Sequence, residues 1–206
     1  DVAAEIARLM RLGYVLVFSS YAAAKRYLKK HPVMSKIGVI KRMRGGKVKV
    51  RMVVDSKQSG ISRATRKFER TLLPRALDVV MDVLNLMDTQ DGEIEFLISD
   101  FKDAFFILPN QPGERRYFTV MHRGKVLVFI KTTQGSRGAP LTWARFIALV
   151  MRLTQSVVGT QSCRISTYVD DPLIAVFGSA QYRRMIFAMV LLIWSSLKLP
   201  MALNKA

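Results

Sequence analysis

The chain has few of the residues that staple or metallate small folds. One cysteine, Cys163, in 206 residues excludes an internal disulfide and any Cys-based zinc cluster, and a lone thiol suits a reducing compartment. His31 and His122 are the only histidines and stand far apart, so any metal site has to be built from oxygen donors. Carboxylates are scarce too: 15 Asp and Glu face 33 Lys and Arg, a net charge of +18. That excess points to a polyanionic partner, nucleic acid ahead of a membrane surface. Long apolar runs are missing. The most apolar stretch, Ile186–Trp194, follows Arg183-Arg184 and falls well short of the roughly 20 residues a bilayer crossing takes, so it reads as a buried helix with no membrane partner. No signal peptide, internal repeat or low-complexity segment is visible, and an intracellular location, cytoplasmic or nuclear, is expected. The chain opens on Asp1 and not on Met, as a piece cut from a longer product would.

Half the residues are apolar, enough to bury a core. The charge is unevenly spread. Residues 1–70 hold 18 Lys and Arg against 4 Asp and Glu, a net of +14, and residues 71–206 hold 15 against 11, a net of +4. A basic module, 1–70, is therefore expected ahead of a nearly balanced one, 71–206.

Helical spacing covers 2–11 and about 21–30, the second ending in Lys29-Lys30-His31-Pro32. A hairpin is expected from Lys36–Met43 and Lys47–Asp55 around Arg44-Gly45-Gly46. Val48, Val50, Met52 and Val54 there alternate with Lys47, Lys49, Arg51 and Val53, an apolar face backed by a largely cationic one. Leu72–Met87 reads as a helix buried through Leu77, Val80, Met81 and Leu84. Then follow a strand over Glu93–Ser99, a hairpin around His122-Arg123-Gly124, and a helix from Pro140 to Val158. Strands Arg164–Val169 and Leu173–Phe177 hinge on Asp170-Asp171, before a helix capped by Ser179 and a last strand over Leu199–Asn204. This order predicts an α+β fold, an antiparallel sheet backed by two helices.

Two short acidic blocks carry the chemistry: Asp100-Phe101-Lys102-Asp103-Ala104-Phe105-Phe106, and Tyr168-Val169-Asp170-Asp171. Each follows an apolar, strand-like run, so one sheet rim could hold Asp100, Asp170 and Asp171 together. Like charges that close repel unless a cation lies between them, and hard divalent cations prefer oxygen. Mg²⁺ is the expected ion, with Mn²⁺ an alternative. Two such ions roughly 3.5–4 Å apart clamp the attacking and leaving oxygens of phosphoryl transfer.

The blocks, their order and their local sequence resemble motifs A and C of reverse transcriptases, as found in retrotransposons and retroviruses. Between them Thr133-Gln134-Gly135-Ser136-Arg137-Gly138-Ala139-Pro140-Leu141 resembles motif B, with Ala139 where Ser is usual. Leu197–Lys205 resembles motif D. The resemblance spans roughly residues 36–206 and implies a polymerase palm with a basic fingers subdomain, and a fingers insertion at about 110–135. No thumb or RNase H segment is expected within the chain.

What the resemblance implies is an RNA-directed DNA polymerase that extends a primer on RNA or DNA by two-metal nucleotidyl transfer. Asp100, Asp170 and Asp171 would hold the ions, Asp170 more strongly than Asp171. Phe105 would lie beneath the nucleotide sugar and collide with a ribose 2′-hydroxyl; the alternative is that Phe105 and Phe106 are core aromatics at the end of a strand. Asp103 and Ala104 would meet the triphosphate, and Arg51 with Lys49 would grip its oxygens. Gln134 would bond the incoming nucleotide, Gly135 would let the template base pass, and Tyr168 would lie near the primer end. Lys205 is the candidate for protonating the leaving pyrophosphate. The implied partners are template–primer and deoxynucleoside triphosphates, in a polyprotein with thumb, RNase H and integrase. The alternative is a catalytically inactive or domesticated nucleic-acid-binding relic. Pro172 is its main support: it follows the Asp pair, removes an N–H and restricts Asp171 to extended geometry.

Overall fold

The computed structural model describes residues 2–44, 46–66, 68–87 and 92–202, and the backbone alone at 42, 44, 47, 49 and 50. The chain is a mixed α+β protein that divides into two units, one of residues 1–69 and 105–139, the other of 70–104 and 140–206. No helix among the described residues is long and apolar enough to cross a membrane.

In the first unit, strands β1 (Val15–Phe18), β2 (Met34–Arg44), β3 (Lys47–Asp55), β5 (Thr119–His122) and β6 (Lys125–Phe129) form one sheet in the order β1-β6-β5-β2-β3. The sheet is mixed and not wholly antiparallel, because β2 runs parallel to β5 at Met34 and Ser35. Its two faces explain the unbroken apolar run of β6. Leu127 and Phe129 join Ile6 and Leu9 of α1 (Val2–Arg11), Val15, Met52, Val54 and Phe106 in one core. Val126 and Val128 turn the other way, onto Ala24 of α2 (Tyr21–Leu28), as period-2 alternation requires. The β5–β6 turn is Arg123-Gly124, both at positive φ, the geometry that suits a tight hairpin.

The β2–β3 hairpin is longer than its core. Met52 and Val54 are buried, whereas Val39, Ile40, Met43 and Val48 are exposed. The expected apolar face is therefore covered only at the base of the hairpin.

The second unit is a three-stranded antiparallel sheet, β4 (Glu93–Ile98), β8 (Asp171–Gly178) and β7 (Cys163–Tyr168), in the order β4-β8-β7. The long helices here are α6 (Ala139–Val158) and α7 (Ala180–Ser196), the latter capped by the Ser179 hydroxyl, which accepts the Tyr182 N–H. Trp143 and Trp194 hold Phe101 between them in edge-to-face contacts of 6.0 and 5.2 Å, and the Trp194 indole N–H donates to Thr154. Arg183 ties α7 to the sheet. It is nearly buried, pairs with Glu95 at 3.0 Å and Glu93 at 3.1 Å, and donates to the carbonyls of Gly178 and Glu93.

Helix α4 (Ala76–Met87) starts later than Leu72 and turns a different face inward than expected. Leu77, Val80, Met81 and Leu84 are exposed, and Leu86 is fully buried with Ala175 and Phe177. The helix is apolar nearly all round, so residues 79, 82, 83 and 86 have the same i, i+3, i+4, i+7 spacing. The second stripe brings Asp82 to Arg164 of β7, 3.6 Å apart, and buries Leu86 against Ala175 and Phe177.

Candidate active site

The second unit brings the two acidic blocks side by side. Strand β4 pairs with β8 up to Ile98↔Leu173, and beyond it the Phe101 N–H donates to the Asp170 carbonyl at 3.0 Å. Asp100 thus leaves its strand beside the tip of the β7–β8 hairpin. Its own carbonyl accepts the Ala202 N–H at 2.8 Å, the Lys102 N–H donates to Pro200, and Phe101 bridges Met201. That bridge is what the described residues contain of the expected last strand. Asp100 and Asp170 are half-buried and Asp171 is exposed.

The hairpin tip differs from the expected hinge on the Asp pair. The closing pair is Tyr168↔Asp171, so the two-residue turn is Val169-Asp170 and Asp171 already belongs to β8. Val169 has φ +61°, a conformation that a β-branched residue adopts only under strain, at a cost of order 1–3 kcal/mol. The Val169 carbonyl is held by the Trp143 indole N–H at 2.7 Å. Nothing in the sequence singles out Val169, whereas a Trp at the start of a buried helix needs a partner for its N–H.

Pro172 sits opposite Thr167. In a two-residue hairpin the closing pair exchanges hydrogen bonds and the next pair does not, so the position of the missing N–H faces away from β7. It lies on the β4 side, where β4 has ended at Ile98 and the Pro172 carbonyl accepts the Ser99 N–H at 3.3 Å. The proline therefore withholds one bond from the β4 side, where the Phe101 N–H to Asp170 carbonyl contact keeps the same register, and leaves the β7–β8 corner whole. The Ser99 hydroxyl is buried there with no hydrogen-bond partner.

The donor chemistry of the three aspartates suits a hard divalent cation. Among the described residues no group of three or more His, Cys, Asp or Glu gathers closely enough to hold a metal ion. What the structure brings together at this corner is the backbone of the two acidic blocks.

Asp103 is half-buried at φ +53°, and Ala104 is buried at the start of α5 (Ala104–Ile107). The two following aromatics lie in this short helix and not at a strand end, so they point in different directions. Phe106 is core, stacked on Tyr14 with ring centroids 5.3 Å apart. Phe105 stays half-buried, and Tyr168 is exposed.

In the first unit Arg51 is exposed on β3, on the same face as Val53. The segment from Thr132 to Gly138 covers the free edge of that strand. The Val54 N–H donates to the Gln134 carbonyl at 3.0 Å, and the Arg137 guanidinium donates to Ser62 at 2.8 Å. Gly135 has φ +95°, and a Cβ there would overlap the Val54 carbonyl and lie 2.6 Å from Val53 Cγ1. Only glycine fits. Gln134-Gly135 thereby packs against Val53 and Val54 on the strand that also carries Arg51. The neighbouring Thr133 hydroxyl is buried without a hydrogen-bond partner. The Lys49 side chain and all of Lys205 lie outside the described residues.

No protein-family model matches this chain, and neither does any curated protein.

Proposed function

We propose that this chain is the fingers and palm of an RNA-directed DNA polymerase, a reverse transcriptase that extends a primer on an RNA or DNA template. The observation that carries the reading is the strand-end corner, where Asp100 leaves β4 next to the Val169-Asp170 turn and Asp171 opens the adjoining strand. Asp100, Asp170 and Asp171 are assigned to two Mg²⁺ ions, with Mn²⁺ an alternative. When bound, such ions supply a lowered pKa at the primer 3′-hydroxyl and charge neutralisation on the triphosphate.

The rest of the work belongs to the chain's own side chains. Arg51, with Lys49, takes phosphate oxygens in the fork geometry of a guanidinium. Asp103 and Ala104 offer backbone to the triphosphate, and Phe105 lies under the sugar and excludes a 2′-hydroxyl. Gln134 and Gly135 line the nucleotide, Tyr168 the primer end, and Lys205 protonates pyrophosphate. The partners are template–primer and deoxynucleoside triphosphates, within a polyprotein carrying thumb, RNase H and integrase. The alternative, an inactive relic, rests on Pro172 and the missing thumb; the β7–β8 register, in which Pro172 turns its nitrogen away from β7, supports the active reading.

Primer extension on an RNA template tests the proposal. Native chain with Mg²⁺ should incorporate deoxynucleotides, and Asp170→Asn should lower the rate by at least about 100-fold, the scale of removing one electrostatic interaction from the transition state. Phe105→Val should admit ribonucleotides. Undiminished extension by Asp170→Asn, or a native chain silent both alone and fused to a thumb segment, refutes the assignment. Native extension with ribonucleotides would make the enzyme an RNA polymerase.

A further inference from the structure

The first unit has a second cationic surface, distinct from the β2–β3 hairpin and used by no step of the proposed reaction. It is formed by α2, the loop from Lys29 to Val33, and the 3₁₀ helix Pro112–Tyr117. Lys25, Arg26, Lys29 and Lys30 are exposed on it and Arg115 and Arg116 half-exposed, with Glu114 the only carboxylate in these segments. Three tyrosines interleave with them. Tyr21, Tyr27 and Tyr117 are all exposed, at 37, 42 and 37%.

The tyrosines and the two arginines of the 3₁₀ helix are each held by a neighbour in this surface, as three separate contacts. The Arg115 guanidinium donates to the Tyr27 hydroxyl at 2.9 Å, joining the 3₁₀ helix to α2. Tyr27 packs on Phe18 with centroids 5.1 Å apart. Arg116 lies 4.5 Å over the Tyr117 ring and donates to its hydroxyl, while its carbonyl accepts the Val33 N–H at 2.8 Å. The Tyr21 hydroxyl and His31 Nδ1 lie 3.2 Å apart. Ordered rings and guanidinium planes lose little freedom when a flat ligand stacks on them.

Cations alone would suit any polyanion. Exposed rings between them gain contact only with a ligand that presents flat unpaired bases, since a duplex keeps its bases stacked on one another. We propose that this surface binds single-stranded nucleic acid, stacking bases on Tyr21, Tyr117 and the Arg116 plane while Lys25, Arg26, Lys29, Lys30 and Arg115 take the phosphates. Only the choice of nucleic acid as the ligand class rests on the polymerase reading. For that enzyme the bound strand is unpaired template.

The test uses the whole chain and a fluorescent 20-nucleotide oligothymidine, with a duplex of equal length as competitor. Replacing Lys25, Arg26, Lys29 and Lys30 by Ala should weaken binding by more than 10-fold. The log–log salt slope should fall by about 3, near 0.7 for each phosphate no longer neutralised. Tyr21→Ala and Tyr117→Ala, which keep every charge, should each weaken single-strand binding by at least about fivefold and leave duplex binding unchanged. A charge-matched control, Lys57, Arg152, Arg184 and Lys198 to Ala, should leave the strand preference intact. Equal competition by duplex, or tyrosine variants that bind like the native chain, would reduce the surface to a nonspecific electrostatic patch and overturn the proposal. Primer extension separates the two readings. Loss of incorporation with single-strand binding intact sinks the polymerase and leaves this site, and the converse sinks this site alone.

Discussion

The two units share a chain and differ in charge. Residues 1–69 and 105–139 hold 23 Lys and Arg against 5 Asp and Glu, a net of +18, whereas 70–104 and 140–206 hold 10 of each. The whole excess charge of the protein thus sits in the first unit. Ion pairing follows the same division. In the second unit Arg183 bridges Glu93 and Glu95, Arg164 meets Asp82, and Arg75 meets Asp78. In the first unit Arg8 pairs with Glu5 within α1, and 5 carboxylates cannot match 23 cations. The second unit can match its cations with its own carboxylates, and the first unit carries an excess that its own carboxylates cannot neutralise.

The sharpest way to break this comparison is Gly135→Ala. It puts a Cβ into the β3 edge at positive φ and should destabilise the first unit by about 3 kcal/mol. Thermal unfolding would show it, with the hydrogen-exchange loss centred on β3 and the second unit protected. Next comes Arg183→Met, aimed at the second unit. It keeps an unbranched apolar stem, strips donors from the Gly178 and Glu93 carbonyls and removes the pairs to Glu93 and Glu95, so the thermal midpoint should fall by roughly 5 °C. An unchanged midpoint would make the buried arginine dispensable.

Cys163 gives a pH-dependent version. Burial pushes its thiol from 9.0 up to about 11, against the smaller opposing pull of Arg164. The unfolded thiol therefore ionises first and binds fewer protons, so this group's contribution is fully present below pH 9 and is lost as pH rises from 9 to about 11. The loss should approach about 2–3 kcal/mol, since each tenfold difference in acidity between the two states is worth about 1.4. The native-minus-Cys163→Ala stability difference, measured by denaturant melts across that window, should shrink accordingly. The smallest effect belongs to Pro172→Leu. Because the absent N–H faces away from β7 and the Phe101 N–H already holds the Asp170 carbonyl, incorporation should change by less than about threefold, within about 1 kcal/mol. A large gain would show that the corner is distorted after all.

Much of the secondary structure was legible because it depends on local spacing and punctuation. The hairpin strand Lys47–Asp55, the helix ending at Val158 and the Ser179 cap follow from alternation, heptad-like recurrence and a hydroxyl before an apolar run. Strand β1 was not legible, since four residues, Val15–Phe18, are too few to display a period. In α4 the spacing was present twice, and the buried stripe is the one that packs on residues far along the chain, Leu86 against Ala175 and Phe177. The turn at Val169-Asp170 was missed by one residue. Asp-Asp is the more usual turn pair, and a valine at positive φ occurs only where surrounding contacts, such as the Trp143 bond, hold it.

By itself, then, the sequence determined a basic α+β chain with two acidic blocks after strands, because composition and short-range periodicity are properties of neighbours along the chain. Tertiary structure alone decided that Asp100 comes beside Asp170, that Gln134-Gly135 closes the β3 edge, and that every surplus positive charge falls in one unit. Each depends on pairing between segments distant in sequence, where hydrogen bonds and buried contacts select among faces and registers that local propensity leaves equivalent.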